Sequence, residues 1–424
     1  MRVLMLTWEY PPVSVGGLGN HVYCLSKFLS QDIDIDIVTI GNGKAPAKEQ
    51  DGRVTIYRAT EYPIRMPDFA TWVMQLNMAL AEKAIDLAGQ RSYSIIHAHD
   101  WLVAYAARMV KVVKSLPLVA TIHATEAGRN QGLHNDLQHY INSVEWWLTY
   151  EAWRVIVCSN HMFHEVKNQF QLPEDKINII PNGIDATGFQ LTAQGDVTNT
   201  DEALIFFVGR LVREKGSQIL LEAMPQILTE VPGARLVIAG KGPMRDELVS
   251  RAYQMGLADK VDFPGFIDDE TRNRFYRQAA AAVFPSLYEP FGIVALEGMA
   301  GETPVVVSDT GGLGEIVIHG VNGLKALPGN PDSLAANIVM LLNNRDLAEK
   351  LVDNASRLIR ERYDWRVIAR DTAAVYRQIL SVQNDRLPSK IAAHLPDGDT
   401  DKAGAYQLRS SLMAQRLNFR KGEG

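Results

Sequence analysis

The sequence predicts two doubly wound α/β domains joined by a hinge. Short apolar runs alternate with helix-period segments from the first residues onward, a second such series opens near Leu204, and a polar, turn-rich stretch separates the two. At 424 residues the chain is too long for one ordinary core and long enough for two.

The first strand is expected at residues 3–7, followed by a Gly-rich loop and a helix carrying Val22, Leu25, Phe28 and Leu29 on one face. Further strands are expected at residues 33–40, 95–98, 118–123 and 155–158, with helical period between them as at residues 72–88. This half is predicted to be a parallel sheet. The second series runs through residues 204–208, 235–239, 261–263, 281–284 and 304–308. Between the series, Pro181-Asn182-Gly183-Ile184-Asp185 and the turn formers of residues 192–201 mark a hinge, giving domains 1–196 and 197–365. Beyond Asn330 the pattern is helical, and a long amphipathic segment after Asp364-Trp365 runs to about Leu380. Residues 383–424 are expected to be a loosely ordered tail, whose basic piece at 408–421 is more simply a solvated end than a helix.

The 46% hydrophobic and 22% charged residues suit a soluble α/β protein, and a net charge of -6 leaves no basic face for nucleic acid. Cys24 and Cys158 both sit in apolar stretches, too few for a disulfide framework or a zinc site, which fits a reducing cytoplasm. The opening apolar run ends at Glu9 and two prolines, too short for a signal peptide, and no apolar run is long enough to span a membrane.

Ligands of open α/β sheets bind beyond the carboxyl ends of the strands, so two facing sheets direct their loops into one cleft. That selects Gly16-Gly17-Leu18-Gly19, His99-Asp100-Trp101, His123, Gly209-Arg210, Gly240-Lys241-Gly242, Thr310-Gly311-Gly312 and, above all, Glu289-Pro-Phe-Gly-Ile-Val-Ala-Leu-Glu297. Gly292 is expected to open a helix of Ile293, Val294, Ala295, Leu296 and Met299, whose free N–H groups suit a phosphate. Glu297, one turn in, needs strong donors such as ribose hydroxyls if it is to stay ionised, and Glu289 is placed to accept from a sugar. The competing reading pairs Glu297 with a buried arginine or backbone and leaves Glu289 an exposed cap. Arg210 and Lys215 can contact a diphosphate and stabilise its departure, or belong to a solvated charged turn. Gly17 permits close backbone approach but lacks the full dinucleotide fingerprint, and His123 is either a sugar contact or a packed residue.

Two motifs hint at metal. In His97-Ala98-His99 alternate strand residues are expected to face opposite ways, so that no ion is shared. Asp32-Ile-Asp34-Ile-Asp36 is expected to be a strand with one wet face.

With these residues in place, residues 1–382 resemble the retaining glycosyltransferases of GT-B architecture, especially family 4 and the bacterial glycogen and starch synthases. Glu289 to Glu297 is similar to their Glu-x7-Glu motif, and Gly209-Arg210 with Glu214-Lys215-Gly216 to their phosphate-binding signature. The resemblance implies two facing Rossmann-like domains, an interdomain cleft and a crossover helix at about 366–382. It gives Glu289 the donor sugar, Glu297 the ribose, Arg210 and Lys215 the diphosphate, and places Gly17, Phe291, Gly292 and Ile293 on the donor side. His123 resembles a donor-sugar contact and Asp100 an acceptor-side aspartate, with Arg129 also assigned to the acceptor side; Glu289, His123, Arg210 and Lys215 form the catalytic set. The implied reaction carries glucose from UDP- or ADP-glucose to a saccharide or sugar-phosphate hydroxyl with retention, with no metal or other cofactor and with the leaving phosphate as base.

The acceptor implied first is an α-1,4-glucan, although glycogen synthases place Lys-Thr where this chain has Ser14-Val15. The alternative is sucrose-phosphate synthase, with fructose 6-phosphate as acceptor and Arg108, Arg129 and Arg154 available for its phosphate; there the first loop carries Gly-Gly-Gln, against Gly-Gly-Leu here. More remote are a sugar-nucleotide epimerase and a non-catalytic sugar-nucleotide sensor.

Overall fold

Val3, Leu4, Met5 and Leu6 are completely buried, and parallel neighbours flank the strand they form on both sides. A continuous apolar run is what a parallel strand covered on both faces requires. The computed structural model describes residues 1–13, 17–189 and 203–386. Its first sheet comprises β1 (Arg2–Leu6), β2 (Asp34–Ile40), β3 (Lys48–Asp51), β4 (Val54–Ala59), β5 (Ile95–His99), β6 (Leu118–Ile122), β7 (Arg154–Val157) and β8 (Ile177–Ile179). These eight strands lie in the order β3-β4-β2-β1-β5-β6-β7-β8.

The expected all-parallel sheet is corrected at one edge, where β3 pairs antiparallel with β4. All four residues of β3 are exposed and polar, so no periodicity marks the strand; Gly52, at φ 57°, turns the chain between the two. A second correction concerns Asp36, which is buried rather than wet and accepts hydrogen bonds from Arg91 Nη1 at 3.0 Å and Tyr93 Oη at 2.5 Å. Asp34 is paired with Arg2 and Arg53, each at 3.3 Å. Both cysteines are free; Cys158 is buried, whereas Cys24, in the other apolar stretch, is only half-buried.

The second sheet is built from β9 (Ala203–Val208), β10 (Ala234–Ala239), β11 (Val261–Gly265), β12 (Ala281–Phe284), β13 (Val305–Ser308) and β14 (Leu324–Ala326). All six strands are parallel, in the order β11-β10-β9-β12-β13-β14. Gly240, at φ 135°, allows the loops after β9 and β10 to touch, since a β-carbon there would stand 1.8 Å from the Gly209 carbonyl oxygen. In the first sheet the strand order reverses between β1 and β5, and in the second between β9 and β12, the crevices at which such sheets bind ligands.

Residues 192–201 and 408–421, Gly16 and the Ser14-Val15 pair lie outside the described residues. Within the hinge segment, Ile184 N–H donates to the Tyr363 carbonyl at 2.7 Å, and a β-carbon on Gly183 would meet the Trp365 ring at 2.6 Å. The last helix spans Trp365–Arg386, four residues into the segment expected to be tail. Its Tyr376 hydroxyl lies 2.7 Å from His97 Nδ1 on β5. Among the described residues no helix is long and apolar enough to cross a membrane.

Candidate active site

Three loops at the carboxyl ends of β9, β12 and β13 converge on Glu289. Its carboxylate is buried, with Oε2 2.6 Å from Lys215 Nζ and 3.3 Å from Ser286 Oγ. Close backbone contacts fix the pair. Leu287 N–H donates to the Glu214 carbonyl at 2.8 Å, and Gly312 N–H to that of Glu289 at 2.9 Å. Gly216 and Gly311 have φ of 73° and 49°, and β-carbons on them would stand 1.8 Å from Pro285 O and 2.1 Å from Glu289 O. Only glycine fits both the dihedral and the space. The exposed-cap reading of Glu289 is therefore wrong.

Gly292, at φ 102°, caps the helix Ile293–Ala300. Phe291 is buried with its ring 6.0 Å from that of Tyr363, and Ile293 is half-buried. Glu297 is buried too. Tyr276 Oη donates to its Oε2 at 3.2 Å and Arg272 lies 3.6 Å from Oε1. Burial raises its pKa, and the Arg272 charge and the Tyr276 hydrogen bond oppose that rise. The arginine pairing weighed from sequence is thus present, from a helix that sequence reading did not connect to this site. Arg210 is exposed and reaches Glu214 on its own turn at 3.3 Å, rather than Glu289.

Across the cleft, Asp100 follows β5 with φ 61° and ψ 175°, a region otherwise left to glycine. It is buried, and its Oδ1 accepts the His123 N–H at 2.7 Å. Burial lifts its pKa to about 6, against the pull of Arg129. Arg129, at the end of the short helix Glu126–Arg129, also acts on His123 and on the buried Glu145. Glu145 accepts the Glu126 N–H at 2.9 and 3.2 Å, and burial raises its pKa to about 8. Of the other arginines considered for this side, Arg108 lies 3.8 Å from Glu151 and 5.7 Å from the Trp147 ring, and Arg154 donates to the Trp153 carbonyl.

The histidines overturn one expectation. The rings of His97 and His99 lie 4.2 Å apart, because residues i and i+2 of a strand share a face. His97 is committed to Tyr376 and Thr121, each at 2.7 Å, whereas His99 Nδ1 meets His123 Nε2 at 3.3 Å. One ring nitrogen from each of His21, His99 and His123 falls within 4.8 Å of the others, the grouping with metal-ligand spacing among the described residues. Burial and the neighbouring rings depress the pKa of His21, His97 and His99, to about 3 for His97, and burial and Arg129 lower that of His123 to about 3. Gly17 is exposed at the head of its helix, where Glu9 Oε1 accepts the Gly19 N–H at 2.8 Å.

Residues 15–187 match the model of Glycosyltransferase Family 4, and residues 191–358 that of Glycosyl transferases group 1. A glycosyltransferase of Methanocaldococcus jannaschii, described as uncharacterised, is 41% identical over 387 residues, covering 89% of this chain and 98% of its own. The chain belongs to this glycosyltransferase family. The glycosyltransferase is also 36% identical to glycogen synthase of Mycobacterium tuberculosis over 94% of this chain and all of that one. Sucrose-phosphate synthase from Thermosynechococcus elongatus superposes with a TM-score of 0.79 at 24% identity, over 90% of this chain and 99% of that one, so the two sheets are a GT-B pair.

Sequence reading of this glycosyltransferase missed Arg272, Tyr276, Glu145, Ser159 and Glu315. Ser159 carries a signal, being an N-cap residue before the helix Asn160–Phe170. Its hydroxyl donates to the Pro290 carbonyl at 2.6 Å. Glu315 follows a glycine pair that was singled out, and accepts from Asn160 N–H at 2.8 Å and His161 N–H at 2.6 Å. Nothing local in the sequence announces contacts between residues some 155 apart.

Proposed function

We propose that this glycosyltransferase transfers glucose from UDP- or ADP-glucose to a hydroxyl of an α-1,4-glucan, with retention at the anomeric carbon. The Lys215–Glu289 pair carries the donor half of the reading. Both of Glu289's hydrogen bonds from described residues fall on Oε2, which leaves Oε1 to accept from sugar hydroxyls beside a cation suited to the diphosphate. Arg210 would join Lys215 by swinging from Glu214, Glu297 would take the ribose, and His123 would meet the sugar through Nδ1. Gly17, Phe291, Gly292 and Ile293 complete the donor side.

In the reaction the bond from the anomeric carbon to the phosphate oxygen breaks and a bond to the acceptor oxygen forms on the same face. The acceptor proton passes to the departing phosphate, so no protein base is required. Catalysis rests on positioning and on the cations that receive the developing charge. No metal ion takes part in this reading, which leaves the His21, His99 and His123 grouping without one; Asp34 and Asp36 are already occupied by arginines.

On the acceptor side, Arg129 stands among Asp100, Glu126 and Glu145. The charge of Arg129 is already partly balanced by Asp100, which leaves less of it for a phosphate and favours a neutral saccharide over a sugar phosphate, and the relationship to a glycogen synthase points the same way. The second reading, fructose 6-phosphate as acceptor, is favoured by Arg129 alone. The test measures nucleoside-diphosphate release while crossing UDP-, ADP- and GDP-glucose with glycogen, maltooligosaccharides and fructose 6-phosphate. Release stimulated by a glucan supports the proposal, release stimulated only by fructose 6-phosphate replaces the acceptor, and no release with any pair overturns it.

A further inference from the structure

We infer that Ser159 and Glu315 are positioning residues for the transfer, forming a latch across the cleft that sets the Glu289 loop in register; this rests on the donor-site reading above. The helix Asn160–Phe170 begins directly after the Cys158-Ser159 end of β7, in the first domain. Its first N–H groups have no partner within the helix, and its N-terminus carries a partial positive charge. The second domain supplies the complement. Glu315 Oε2 accepts from Asn160 N–H at 2.8 Å and from Asn160 Nδ2 at 2.9 Å, while Oε1 accepts from His161 N–H at 2.6 Å.

The same helix end grips the loop that carries Glu289. Ser159 is buried and donates to Pro290 O at 2.6 Å, one residue beyond the carboxylate that meets Lys215. From the other side Gly312 N–H holds Glu289 O at 2.9 Å, and Gly312 lies on the helix Gly311–Ile316 that also carries Glu315. Two consecutive carbonyls of the loop are therefore pinned, one from each domain. A third contact joins Tyr288 Oη to Glu165 Oε1 at 3.1 Å, again on the first-domain helix. None of these groups is assigned to substrate, so their effect must pass through Glu289. Glu315 and Asn160 are exposed to solvent, and exposed charged contacts exchange for water at small cost. That suits a contact made on closing and broken on opening.

The experiment compares Glu315→Ala, Glu315→Gln, Ser159→Gly and Lys215→Ala in the nucleoside-diphosphate release assay, with the Kd of UDP and ADP measured by calorimetry. Glycine is a tolerable N-cap, so Ser159→Gly removes the Pro290 bond with little cost to the helix. The latch predicts that Glu315→Ala and Ser159→Gly each lower kcat by about 5- to 10-fold, roughly the factor carried by one ordinary hydrogen bond, with the nucleotide Kd unchanged. Glu315→Gln, which keeps an acceptor, is expected to recover part of the loss. A kcat within about 3-fold of the parent in both Glu315→Ala and Ser159→Gly overturns the latch, as does a nucleotide Kd that weakens in step with kcat. If Lys215→Ala leaves both turnover and nucleotide affinity intact, the donor-site reading fails instead.

Discussion

Lys215 Nζ lies 2.6 Å from Glu289 Oε2, joining the loop after β9 to the loop after β12 at the point where the strand order reverses. The glutamate is nearly inaccessible to solvent and the lysine only partly exposed, so each charge depends on the other. Replacing either with alanine is expected to lower nucleoside-diphosphate release by about 100-fold or more. Residues that act as a unit give non-additive losses, so the double variant should be little worse than either single one. Additive losses in steady-state kinetics would show that the two act separately.

Gly216, in the loop after β9, and Gly17, at the head of the helix after β1, should behave oppositely. Gly216 combines φ of 73° with a β-carbon position 1.8 Å from Pro285 O, so Gly216→Ala is expected to lower unfolding stability by about 2 kcal/mol or more. A β-carbon on Gly17 meets nothing within 4 Å, and Gly17→Ala should change stability by less than about 0.5 kcal/mol. Urea unfolding of the two variants measures both values, and a loss of donor binding in Gly17→Ala at unchanged stability would place that backbone against the ligand.

Protonation links the cleft to stability in two opposite directions. His97 and His123 have pKa values lowered to about 3 from 6.5. The unfolded chain therefore takes up protons that the native state refuses, and their contribution is complete above pH 6.5 and lost as pH falls toward 3. Glu145 is the reverse case, raised from 4.5 to about 8. Its protonated form fits the native state, so stability present below pH 4.5 is lost as pH rises through 8. The Tm of Glu145→Gln should match the parent near pH 4.5 and exceed it at pH 9. The fall in Tm between pH 7.5 and 5 should shrink in His97→Gln relative to its own value at neutral pH.

Turnover is expected to survive exhaustive treatment with EDTA. Strict dependence on an added divalent ion, abolished in His99→Ala, would assign the ion to the histidine group rather than to Asp34 and Asp36, whose carboxylates are taken.

The two sheets were legible because buried parallel strands leave long apolar runs, and the Glu289 to Glu297 segment was placed because it falls just past one of those strands. Lys48–Asp51 was not legible, since an exposed edge strand has no apolar face to display. Asp36 misled for a related reason: an acid alternating with isoleucine looks solvated until Arg91 and Tyr93, far along the chain, come to cover it. Glu297 was read with two possible partners, and the arginine found at 3.6 Å sits on a helix whose position only the fold decides. The contacts of Glu315 with Asn160 and His161 are of the same kind, encoded by distant residues and by no local pattern.

Asp100 holds φ 61° and ψ 175° without being glycine, which costs on the order of 1–3 kcal/mol that the surrounding structure must supply. Asp100→Gly would release that strain and also remove a buried carboxyl with a raised pKa. It is therefore expected to melt at a higher temperature than the parent while losing acceptor transfer, whereas Asp100→Asn should keep the strain. The enzyme would then be a case in which natural selection has kept a less durable protein for the sake of one well-placed side chain, and in which a search for thermostable variants would discard catalysis first.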